Sequence, residues 1–142
     1  MAAATKDRNT KMIHLDYVLP LKIEAGETIL GGIMVNTDAD GFATAATDTA
    51  AHRCRGVSKR KYENTAGADG DELAEVDVGI FAFATGGANP VLQTDEGELC
   101  YVLDNQTVSL AAGTTNSVIA GKVVRYVSSS EVWVDFRQQA IS

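Results

Sequence analysis

The sequence predicts an all-β protein: a single small β-barrel or sandwich of about eight short strands, preceded by an extended N-terminal arm. Three observations carry that expectation. Runs rich in valine, isoleucine and threonine recur along the chain, each bounded by turn residues. Several of them alternate apolar and polar side chains, the period of two that marks a sheet with one buried face. Thirteen glycines against two prolines in 142 residues suit a chain of tight turns. That length corresponds to one domain.

The closing stretch, Ser117 to Phe136, organises the rest. Val118 to Val127 is rich in β-branched residues, and Ser128-Ser129-Ser130 turns it into a return strand. There Val132, Val134 and Phe136 share one face, with Glu131, Trp133, Asp135 and Arg137 on the other. The first strand, apolar on both faces, belongs nearer the centre of the sheet. Trp133 lies among charges, so it is either covered by another part of the chain or left for a partner.

Taken from the start, residues 1–16 are polar and show no period, and form the arm; residues 17–142 form the β-domain. Such an arm either stays disordered in an isolated chain or is ordered along a neighbouring subunit. Tyr17 to Ile23 alternates as a strand, and Pro20 confines it to an edge. Thr28 to Val35 is a second strand, in which Gly31-Gly32 marks a bend, a bulge or a close backbone approach. Asn36 to Gly41 is a turn; its Asp38 and Asp40 lack the further ligands of a calcium loop. Asp48 is placed to cap a helical turn over Ala50 to His52.

Arg53 to Lys61 holds Arg53, Arg55, Lys59, Arg60 and Lys61, five of the twelve basic residues, and Asp69 to Asp77 holds five acidic ones. Either the two runs face each other across paired strands, or they form a dipole of patches that orients one subunit against the next. Leu73 to Ala84 begins as an alternating strand and becomes apolar on both faces at Ile80 to Phe83, as a strand entering a barrel or an interface does. Leu99 to Leu103 and Thr107 to Leu110 are short strands joined by a turn at Asp104 to Gln106.

Several function classes receive no support. A formal net charge of −7 opposes nucleic-acid binding. No run approaches the ~20 apolar residues of a membrane span, and the first residues lack the apolar core of a secretion signal, which points to synthesis in a cytoplasm. Cys54 and Cys100 read as buried free thiols. Gly113 to Lys122 has the wrong spacing for a phosphate loop and leads into a strand. His14 has no second ligand at metal spacing, and no serine elbow or zinc motif occurs. The expectation is a protein that is not an enzyme and carries no cofactor or metal.

The order of short motifs resembles the small β-rich capsid decoration, or cement, proteins of tailed bacteriophages. The resemblance runs from Ala25-Gly26-Glu27 through Arg55-Gly56-Val57-Ser58, Glu63-Asn64-Thr65 and Val76 to Phe81. It is most telling in Tyr101 to Val108, Ala120 to Val123 and Val132 to Phe136. It implies a virion protein on the outer surface of the head that bridges major capsid protein subunits, as a homotrimer near a local three-fold axis. Trp133, Phe81 and Phe83, with the basic run, are then candidate subunit or capsid contacts, although the pattern around the two phenylalanines also suits a core. Another phage structural component (head-completion or tail protein), or a small barrel that binds a carbohydrate or other small ligand, are the alternatives.

Overall fold

The computed structural model describes residues 2–137 and is all-β, a five-stranded mixed barrel with further strands packed outside it. The strands are β1 (Met12–Lys22), β2 (Thr28–Ile29), β3 (Met34–Thr37), β4 (Ala43–Ala45), β5 (Arg53–Ser58) and β6 (Tyr62–Glu63). They continue with β7 (Leu73–Thr85), β8 (Leu99–Asp104), β9 (Thr107–Ser109), β10 (Ile119–Ser128) and β11 (Glu131–Asp135). Among the described residues no helix is long and apolar enough to cross a membrane.

The barrel closes through β7, β11, β10, β8 and β9 and back to β7. All of these pairings are antiparallel except β7 with β9. Strand β7 extends beyond the ring. Its first half pairs β1 and β5, and β3 and β4 continue that outer sheet. At Val76 and Asp77 it lies between β1 and β5, and at Ile80 and Phe81 between β1 and β11.

The change in β7 from alternating to wholly apolar follows from this placement. Glu75 is exposed, whereas Phe81, Ala82 and Phe83 are all buried. Inside the ring, Phe81, Phe83, Val102, Val108, Val123, Val132, Val134 and Phe136 form one core. The Phe136 ring meets Phe83 edge-on at 5.7 Å and Phe81 at 6.2 Å. A second core, around Leu21, Ile23, Ile29, Ile33, Val35 and Val76, lies under the outer sheet. Cys54 and Cys100 are free thiols in the first core, and burial pushes each up to about 12.

Three expectations need correction. The first strand begins at Met12, five residues before Tyr17. Register shifts between Met12 and His14 and between Leu15 and Tyr17 break its alternation, so no period is visible there. Thr28 to Val35 is two strands, because the Gly31-Gly32 pair turns the chain; a Cβ on Gly32 (φ +74°) would lie 2.0 Å from the Arg8 carbonyl oxygen. Asp48 caps no helical turn. Its carboxylate accepts the backbone N–H groups of Thr115 (2.6 Å) and Asn116 (2.9 Å) instead.

Residues 2–11 lie against the chain's own body. The Asn105 side chain accepts from the Ala4 N–H (2.7 Å), the Arg8 N–H donates to the Gly31 carbonyl (2.8 Å), and the Asp7 carboxylate accepts from the Gly31 N–H (2.9 Å). The Arg8 guanidinium sits 4.6 Å from the centroid of the Phe83 ring and donates to the Ala82 carbonyl (3.1 Å).

Two outcomes test this architecture. A Cβ on Gly79 would stand 2.0 Å from the His14 carbonyl oxygen. Gly79→Ala therefore forces β1 off β7, with an expected loss of about 2 kcal/mol or more in urea unfolding. Unchanged stability would refute the β1–β7 contact. Neither thiol should react with a thiol reagent at pH 8 in the native protein, because burial suppresses the thiolate; both should react once it unfolds.

Candidate interaction surface

The closing hairpin places its two faces as the alternation requires. Val132, Val134 and Phe136 enter the barrel, and Trp133 points outward. Register then decides what surrounds it. Trp133 pairs with Ala82 of β7 on one side and Arg125 of β10 on the other, and the Ala82 N–H donates to the Lys11 carbonyl at 2.9 Å. The ring is thus flanked by two cations, the Arg125 guanidinium at 5.0 Å and the Lys11 ammonium at 5.7 Å from its centroid.

Glu131 ties the group together. Its carboxylate accepts from Trp133 Nε1 (2.9 Å) and Lys11 Nζ (3.0 Å), and these two bonds hold it below the usual carboxylate range. Both alternatives for Trp133 are therefore half met: two cations of the chain lie over its ring, and part of the residue remains open to solvent. Val124 and Val127, each 44% exposed, lie on the neighbouring β10. Val124 faces outward by alternation from the buried Val123, and the register shift between Val123 and Arg125 turns Val127 outward as well.

Asp135 departs from the expected solvent face: it is buried. Burial pushes its carboxyl up, but Arg137 outweighs this with side-chain and backbone hydrogen bonds, leaving it below the usual range. The Arg137 guanidinium spans both carboxylate oxygens, the shortest contact being 2.7 Å.

The other candidate residues lie elsewhere. Phe81 and Phe83, proposed as subunit contacts, are interior. They pack on Phe136 and offer no surface to a partner. The basic run faces the acidic run as the cross-strand reading requires. Lys59 reaches Asp77 (3.8 Å) and Arg60 reaches Glu75 (4.0 Å), across the β5–β7 pairing. Lys61 pairs with Glu63 (3.1 Å), and the Arg60 guanidinium lies 5.1 Å from the Tyr62 ring centroid. Burial raises the Asp77 carboxyl, with Lys59 opposing and Glu75 adding to the rise. Arg55 is half-buried within β5, and Arg53 is exposed at its start, beside a separate cleft.

Sequence reasoning missed Lys11, Arg8, Arg125 and Glu131. A signal existed for two of them: counting back across the serine turn sets Arg125 opposite Trp133 and Glu131 beside it on the same face. None existed for Lys11 or Arg8, which sit in a stretch without period. Among the described residues no three His, Cys, Asp or Glu side chains come together to hold a metal ion.

The Asp135–Arg137 pair has a measurable pH signature. With its folded pKa below the unfolded one, Asp135 contributes stability above the ordinary carboxylate range, and this is lost as pH falls through the folded value. Arg137→Gln should be less stable than the parent at pH 6, with the gap closing below about pH 3. A gap independent of pH would show that the pair contributes nothing through charge.

No family of known proteins, no curated protein and no solved structure matches this chain.

Proposed function

We propose that the protein is a structural component of a bacteriophage virion, a decoration protein that binds the outer surface of the head and bridges major capsid protein subunits. The observation that carries this reading is Trp133. The chain's one tryptophan stands outward on a closed barrel, between two cations and partly open to solvent. Partly exposed amphipathic aromatics are among the residues that anchor protein interfaces. The adjoining exposed Val124 and Val127 extend the surface. The order of motifs resembling phage decoration proteins supports the same reading.

The barrel interior is filled by its own side chains, as a module offering surfaces rather than a ligand chamber requires. A rigid unit of this kind strengthens a lattice by repetition, each copy adding weak contacts whose avidity resists expansion of the head. Assembly as a homotrimer on the capsid belongs to the proposal. Its contacts exclude Phe81 and Phe83 and centre on Trp133, Arg125 and Lys11.

The test adds purified protein to expanded heads that lack it. The expected outcome is saturable binding at a fixed ratio to the capsid subunit, with heads then surviving heating better. Trp133→Ala should weaken that binding about tenfold or more and leave the barrel folded. Absence of binding by folded protein would overturn the proposal. Binding in a few copies at one vertex would replace it with a head-completion or tail role.

A further inference from the structure

A cleft of about 280 Å³ opens between residues 51–54, at the start of β5, and residues 116–119, which lead into β10. We propose that it binds a carboxylate group. The inference is independent of the decoration role.

Charge selection is the first argument. The chain carries nineteen acidic residues, yet none of them lines this cleft. Its polar lining is His52, Arg53, Asn116 and Ser117, all able to donate hydrogen bonds. Among the described residues Arg53 forms no ion pair, unlike Lys59, Arg60 and Lys61 of the same run. Its guanidinium fork suits the two oxygens of a carboxylate. The buried Cys54 and Val118 make the remaining lining apolar, so an acid with a short hydrocarbon body fits better than a bare ion.

Preorganisation is the second. Asp48 staples the walls together: its carboxylate accepts the Thr115 and Asn116 N–H groups, and the Asn116 side chain donates to its carbonyl at 2.8 Å. The Asp48 carboxylate is thereby committed to backbone donors. The buried Asn36 amide donates to the Thr47 carbonyl (2.9 Å) and lies 3.4 Å from His52 Nδ1.

Strain is the third. Ala51 (φ 68°) and Ser117 (φ 51°) are the non-glycine residues with positive φ among the described residues, and they stand on opposite walls of this cleft. Left-handed backbone at non-glycine residues persists where surrounding structure over-determines it, and it gathers at binding sites.

The test is an NMR titration of the full chain with propionate, against propionamide as the neutral isostere at matched pH. Propionate should give saturable amide shifts confined to residues 51–54 and 116–119, and propionamide none. Arg53→Gln, a change at an exposed side chain, should weaken binding about tenfold, and Arg53→Lys by less. A spectrum unchanged outside the cleft shows that each variant is folded. Absent shifts, equal shifts with propionamide, or full affinity in Arg53→Gln would overturn the proposal. N-acetyl-Ala-Glu-Ala-amide separates the sources. Tighter binding than propionate assigns the site to an acidic side chain of a partner protein, and equal binding to a free small acid.

Discussion

The structure depends on one strand serving two sheets. Strand β7 is a wall of the closed barrel over its second half and the centre of the outer sheet over its first, pairing in turn with β1, β5, β11 and β9. Its backbone groups are satisfied on both edges for most of its length, and its side chains enter both cores: Ala74 and Val76 one, Phe81 and Phe83 the other. Neither core can open without disturbing this strand, so barrel and outer layer are expected to unfold as one cooperative unit.

The surface is organised by the same strand. The basic and acidic runs meet because β5 lies against the first half of β7, and the Trp133 group forms because β11 lies against the second. Their energetic roles differ. Arg60–Glu75 and Lys61–Glu63 are exposed, and pairs of that kind contribute little to stability. The cations flanking Trp133 hold an aromatic ring in a fixed orientation while leaving part of it open.

Residues 2–11 pack on the chain's own body rather than trailing from it. Asn105 and Gln106, in the turn between β8 and β9, hydrogen-bond the backbone at Ala4 and Ala2, and the Gly31-Gly32 turn receives Asp7, Arg8 and Thr10. Arg8 then lies over Phe83 with its guanidinium partly desolvated, which lowers its basicity. The arm so described ends at Lys11, and Lys11 itself is spent on Trp133 and Glu131.

The fold class was legible from sequence because strand periodicity and turn chemistry are local properties. The alternation of Val132, Val134 and Phe136, the turns at Asp38 to Gly41 and Asp104 to Gln106, and the broadening of apolarity along Leu73 to Ala84 all survive in the structure. Where bulges interrupt the alternation, as over Met12 to Asp16, the signal vanishes, and the sequence reading starts the strand only at Tyr17. The outward direction of Trp133 was legible for the same local reason, whereas the charge runs left two readings open until the β5–β7 pairing set them face to face. What local pattern could not decide was which strands meet. Only the tertiary register sets Arg125 and Lys11 beside Trp133, draws Asp135 inward under Arg137, sends Asp48 to a loop far along the chain, and sinks Phe81 and Phe83 into the core. Each depends on partners distant in sequence, whose proximity comes from the way β7 is shared.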